Sequence, residues 1–373
     1  MAKWIFRVVR QETEQFLPRT KTIVSCSGTS AGFGLRLRHV KGNFFPIIPA
    51  RLRHADAVKA FILVLLLTSG AARAEETLAK TLAAPGQLIV TQFVSAPFPH
   101  ASRAEGRTYR NSFFPADKHY ADSTVAIFIP KDFRARAQND FVIHFHGWRN
   151  TVSGTLTQYQ LAEQLVASGR NAILIVPEGP RDAPDSGGGK LEDPDGFKRF
   201  MAEALALLQQ RGVLETNAAV GNIILSGHSG GYQVMSSIVD RGGLISQVRE
   251  VWLFDGLYAQ SEKFLTWADQ TQGRLLNIYT DGGGTKVRTE EMMATLKQQG
   301  KPLLATTDQT VTPAELKTNR LVFLHTDLSH NEVVEKRKTF QRFLETSCLP
   351  LRLEKPGETS KLLPYQAVPK QQP

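Results

Sequence analysis

Residues Gly227-His228-Ser229-Gly230-Gly231 set a serine among glycines, directly after the apolar run Asn222-Ile223-Ile224-Leu225-Ser226. A serine hydroxyl attacks a carbonyl only when a base takes its proton and its backbone exposes it. A strand ending at Ser226 and a helix starting by Gly231 would form a sharp turn that projects Ser229 above the end of a sheet. Glycine at 227, 230 and 231 suits such a turn, because it brings backbone close to its neighbours. His228, inside the motif, is a candidate substrate contact.

The base is expected in a loop after the last strand. Leu328-Ser329-His330-Asn331-Glu332 follows the apolar run 321–324, and His330 is preferred to His325, which falls at the strand end. A carboxylate must then fix the tautomer of the imidazole and stabilise its charged form. Asp281, after the strand-like run 274–280 and before three glycines, stands one strand ahead of the histidine strand and is the first candidate. Asp255, after Val251-Trp252-Leu253-Phe254, is the alternative. A developing oxyanion needs two N–H donors. Gly230 supplies one, and Gly147 or Trp148, after the run 141–146, the other. His146, Arg149, Asn150 and Tyr258 stand where they could line a substrate pocket.

Ser229, Asp281 and His330 in that order, with His146-Gly147 upstream, resemble the α/β-hydrolase superfamily over residues 86–348. The resemblance implies an eight-stranded, mainly parallel sheet and a serine–histidine–acid mechanism without metal or cofactor. It leaves the substrate open, because this fold hosts esterases, lipases, peptidases and acyltransferases. The expected reaction is hydrolysis of a small-molecule, carbohydrate or peptide ester through an acyl-serine intermediate, with peptidase, amidase or acyltransferase activity as the alternative.

The elements that must position these residues alternate. Strand-like runs at 87–94, 124–130, 141–146, 171–177, 222–226, 248–254, 274–280 and 320–326 are separated by helical patterns at 155–168, 197–211, 231–239, 262–270, 287–299 and 332–346. That alternation predicts an α/β three-layer sandwich: a mostly parallel sheet of about eight strands, flanked by helices. Residues 181–196 form the one sizeable loop that could cover the site. The triplets Gly187-Gly188-Gly189 and Gly282-Gly283-Gly284 lack the Lys-Ser/Thr pair of a phosphate-binding loop and read as flexible connections.

Of 373 residues, 45 are Lys or Arg and 35 Asp or Glu, a net charge of +10. That basicity does not point to a nucleic-acid partner. Residues 1–57 hold ten basic and three acidic residues, whereas residues 75–373 hold 33 and 32. The run Ala60-Phe61-Ile62-Leu63-Val64-Leu65-Leu66-Leu67, with Ala72-Arg73-Ala74 after it, has the layout of a signal peptide and is too short to span a bilayer. The expected organisation is a basic extension at 1–57, which does not belong to the protein if translation starts at Val58; a signal peptide at 58–74; a catalytic domain at 75–352; and a polar tail at 353–373. The expected product is exported, to the periplasm or medium, with no lasting membrane anchor. Only Cys348 remains after residue 74, which leaves no intrachain disulfide.

Two other classes compete. His144 and His146, two apart on a strand, could chelate a metal with a third ligand such as Asp255 or His330. Alternatively, the fold could serve binding without catalysis. Neither accounts for serine, histidine, acid and oxyanion loop standing together.

Overall fold

Strict alternation in residues 251–254 is the simplest sign of how the sheet is buried. Val251 and Leu253 enter one hydrophobic cluster, and Trp252 and Phe254 enter another. Successive side chains of a strand point to opposite faces, so this strand is covered on both sides. The computed structural model describes Leu82 and residues 84–352. The expected segments 1–57, 58–74 and 353–373 lie outside the described residues.

The strands are β1 (Gly86–Gln92), β2 (Arg107–Tyr109), β3 (Ser112–Phe114), β4 (Thr124–Pro130), β5 (Gln138–Phe145), β6 (Ile173–Pro177), β7 (Ala219–His228), β8 (Val248–Phe254), β9 (Arg274–Thr280), β10 (Leu304–Thr307) and β11 (Leu321–Thr326). Nine of them form one sheet in the order β1-β4-β6-β5-β7-β8-β9-β11-β10. β4 runs antiparallel to both its neighbours, and every other pairing is parallel. Helices Gly196–Gln210, Tyr232–Arg241, Ser261–Thr271 and Lys286–Gln298 bury residues in the first cluster. Helices Val152–Tyr159, Leu161–Ala167, Pro313–Thr318 and Thr339–Glu345 cover the other face. The chain is therefore a three-layer sandwich with a mostly parallel sheet, as its alternating pattern implies.

Several local expectations are corrected. The ninth strand of the main sheet is β10, a partly exposed edge strand of four residues without an apolar run. The hairpin β2–β3 forms a separate two-stranded sheet of three-residue strands, too short for a period to show. The helix expected over 155–168 is two helices, broken at Gln160, whose φ is 48°. The last helix starts at Thr339 instead of 332, because Lys338 at φ 52° interrupts it. The Gly187–Gly189 triplet is tightly packed: a Cβ on Gly188 would lie 2.4 Å from Val234, and one on Gly189 2.0 Å from the Pro97 carbonyl.

A buried ion pair ties the sheet to the C-terminal segment. Arg274 Nη1 donates to Glu250 Oε2 at 2.9 Å, and Glu250 also accepts from Trp252 Nε1 at 2.9 Å and from the Cys348 amide at 2.7 Å. Removing one partner of such a pair strands the other charge in the interior. Glu250→Ala should therefore cost about 3–5 kcal/mol of unfolding free energy, read by urea denaturation. A loss under about 1 kcal/mol would show that the pair is not supported as described.

Candidate active site

Ser229 follows β7 directly and opens a short 3₁₀ turn that runs into the helix Tyr232–Arg241. Its φ of 52° is left-handed, a conformation that costs a non-glycine residue about 1–3 kcal/mol and is held only by surrounding structure. The neighbours leave no room for side chains. A Cβ on Gly227 would lie 2.9 Å from Met235 Sδ, and one on Gly231 2.7 Å from the Phe145 carbonyl. The expected elbow is present, and Ser229 is partly exposed at its tip.

Gly147 lies against the elbow, since a Cβ there would come within 2.6 Å of the Ser229 Cβ. The amides of Gly147 and Trp148 donate to no protein acceptor among the described residues. Gly230 is the second residue of the turn that Ser229 opens, where amides lack intrahelical partners. The Trp148 indole lies over Gly230, donates Nε1–H to Ser186 Oγ at 2.8 Å and packs edge-on to Tyr109 at 5.1 Å.

His330 stands in the loop after β11. Its Nδ1–H donates to Asp255 Oδ2 at 2.7 Å, which leaves Nε2 as the nitrogen able to take a proton. Its ring is 4.6 Å from that of His228, the residue preceding Ser229. No hydrogen bond joins Ser229 Oγ to His330 among the described residues. Such bonds are often long in the empty site and tighten when substrate arrives. The hydroxyl of Tyr258 donates to the Gly283 carbonyl at 2.6 Å. Burial and the nearby Asp255 charge push the Tyr258 phenol up to about 12.

The carboxylate that meets His330 is Asp255, not Asp281. Asp255 is fully buried at the end of β8, with φ 45°. It accepts from the Thr280 hydroxyl at 2.8 Å, the Thr280 amide at 3.2 Å and the Thr285 hydroxyl. Burial pushes this carboxyl up, but the bonds from His330, Thr285 and Thr280 outweigh it and hold it below the ordinary carboxylate range. Gly283 lies directly over it, since a Cβ there would fall 1.7 Å from Asp255 Oδ2. Asp281 is on the surface, 2.7 Å from Lys286 Nζ and 3.1 Å from His325 Nε2. The rule of one strand before the histidine strand fails here because the glycine-rich loop after β9 turns Asp281 outward and closes over Asp255.

Other expected contacts are also redrawn. His228 is 3% exposed, and both its ring nitrogens are engaged, Nδ1 by the Tyr159 hydroxyl at 2.9 Å and Nε2 by the His330 carbonyl at 2.8 Å. It has no free edge for substrate. His146 is likewise buried: Nδ1–H donates to the Gly147 carbonyl at 2.8 Å, and Nε2 lies 2.9 Å from Glu178. The first bond orients the oxyanion loop. Burial pushes the His146 imidazole down, and Glu178 more than restores it, leaving it above its ordinary value. His144 bonds Ser226 Oγ at 2.8 Å, so the two histidines turn to separate partners instead of forming a chelating pair. Arg149 is exposed, its guanidinium 5.5 Å from the Phe114 ring, and Asn150 accepts from the Thr151 amide at 2.8 Å; both serve the turn. Tyr159, Glu178, Thr280 and Thr285 escape a sequence reading: Tyr159 sits on an apolar helical face, and the others lie at or after strand ends without a motif. Gly283, expected in a flexible connection, is instead packed over Asp255.

Burial and the neighbouring His330 lower His228 to about 4. The unfolded chain takes up a proton near the ordinary histidine value, whereas the folded chain refuses it until about pH 4, so His228 costs stability as pH falls below about 6.5. Between pH 7 and pH 5 the wild type should lose about 2 kcal/mol more than His228→Gln, read by urea denaturation at both values. Equal losses in the two proteins would contradict this burial.

No family model matches the chain, and no curated protein matches it by sequence. Solved structures do. A ferulic acid esterase is 13% identical, covering 70% of this chain and 99% of its own, with a TM-score of 0.45. The fluorophosphonate-binding serine hydrolase F of Staphylococcus aureus is 9% identical over 69% and 99%, at a TM-score of 0.42. An S-formylglutathione hydrolase from Agrobacterium tumefaciens is 14% identical over 69% and 92%, at 0.37. With its sheet order, its antiparallel β4 and the serine turn between β7 and the following helix, the chain has the α/β-hydrolase fold.

Proposed function

We propose that this protein is a serine hydrolase that cleaves an ester through an acyl-serine intermediate. One observation carries the reading: the 2.7 Å bond from His330 Nδ1 to a buried, fully hydrogen-bonded Asp255, beside a serine held on a left-handed elbow. With Nδ1 committed to the carboxylate, His330 Nε2 takes the proton from Ser229 Oγ as the oxygen attacks the substrate carbonyl. The tetrahedral oxyanion receives the amide of Gly230 and one from the Gly147–Trp148 loop. The imidazolium, stabilised by Asp255, gives its proton to the departing alcohol. Water then attacks the acyl-serine, again through His330. An ester is the first substrate class, because an alcohol leaves more readily than an amine; a small-molecule, carbohydrate or peptide ester fits this chemistry. The signal-like segment 58–74 supports an exported protein acting in the periplasm or medium. Mature protein beginning at Glu75 is the expected N-terminal sequence, and one retaining Ala31 or Arg51 would overturn export by this route.

A fluorophosphonate probe should modify Ser229, and Ser229→Ala should lose both the label and p-nitrophenyl ester turnover. Asp255→Asn should lower kcat by about 10³–10⁴-fold, whereas Asp281→Asn stays within about twofold. Labelling that survives Ser229→Ala, or equal losses in the two aspartate variants, would overturn the assignment.

A further inference from the structure

We infer that Tyr159 and His228 form a relay that fixes the position of His330, so that the histidine inside the serine motif is a positioning residue for the general base. The inference rests on the hydrolase reading above. The His330 carbonyl can only accept a hydrogen bond, so the 2.8 Å contact requires a proton on His228 Nε2. In the neutral ring Nδ1 then carries a lone pair, and it accepts from the Tyr159 hydroxyl at 2.9 Å. The direction of the whole chain is thereby set: Tyr159 O–H to His228, and His228 N–H to the backbone of His330.

Each member is buried where it cannot exchange its partner for water. Tyr159 is 1% exposed and His228 3%. The rings of Tyr159 and His228 lie 5.2 Å apart, and those of His228 and His330 4.6 Å, so the relay also packs against the imidazole it holds. The loop carrying His330 has a second brace on its outer side, where Glu332 accepts from the Ser329 amide at 3.0 Å and the Ser329 hydroxyl at 2.8 Å. That brace is on the surface and is short-range in sequence. The relay spans from the helix Val152–Tyr159 through the end of β7 to the loop after β11, and so registers the base against the nucleophile's own strand.

A well-oriented base matters because misplacement by about 1 Å can cost about 100-fold in rate. The relay touches neither substrate nor the transferring proton, so its loss should appear in kcat while KM changes little. His228→Leu removes both bonds. Its kcat on p-nitrophenyl acetate and its rate of Ser229 phosphonylation should both fall by about 10–100-fold, with KM within about threefold. His228→Gln can return an N–H near the Nε2 position and should recover most of the loss. Tyr159→Phe should show a smaller fall, and Tyr159→Phe with His228→Leu should be no slower than His228→Leu alone, because the two residues act in series. An active wild type whose His228→Leu and Tyr159→Phe variants keep kcat and phosphonylation within twofold overturns the relay alone. So does His228→Gln performing no better than His228→Leu, or additive losses in the double variant. If His228→Leu does not fold, the Tyr159→Phe and His228→Gln rates decide between the same outcomes. A wild type that neither turns over esters nor labels at Ser229 overturns the underlying hydrolase reading instead.

Discussion

The bond between His330 and Asp255 is the constraint on which the rest of the site depends. A carboxylate with no exposure to water is costly unless its lone pairs are filled. Here the His330 ring, two threonine hydroxyls and the Thr280 amide fill them. The satisfied charge stays ionised, fixes Nδ1 as the protonated nitrogen of His330 and leaves Nε2 for chemistry. It also explains the sequence around it. Gly283 must lack a side chain to let its loop close over the carboxylate, and Asp255 itself sits in a left-handed conformation to aim at the histidine.

Parallel topology makes this convergence possible. β5, β7, β8, β9 and β11 run in one direction, so the loops after all five emerge at one end of the sheet. Gly147, Ser229, Asp255, Thr280 and His330 each follow or end one of those strands. Residues spread over about half the chain thus meet without any long excursion of the backbone. Beneath them, buried polar groups hold the geometry. His146 and Glu178 orient the oxyanion loop, and Tyr159 and His228 brace the base.

Much of this was legible in the residues alone. The eight long apolar runs correspond to strands of the main sheet, because burial on both faces demands continuous hydrophobic sequence. The serine motif and His330 announced themselves through glycine placement and order. What stayed hidden has identifiable physical causes. β10 is a partly exposed edge strand and carries no apolar run. The breaks at Gln160 and Lys338 are left-handed turns made by residues with no glycine signature. Asp255 and Asp281 both end apolar strands, and only the path of the Gly282–Gly284 loop decides which turns inward. His146 and His228 look like pocket residues in sequence, yet their neighbours Glu178 and Tyr159 draw them into the interior.

The central claim is the Asp255–His330 bond, and proton NMR of the protein in cold water addresses it most directly. An imidazole Nδ1 proton held against a buried carboxylate and shielded from exchange gives a far-downfield resonance. That signal should be present in the wild type and in Asp281→Asn and absent from Asp255→Asn and His330→Ala. A signal that persists in Asp255→Asn, or that disappears in Asp281→Asn, would contradict the account.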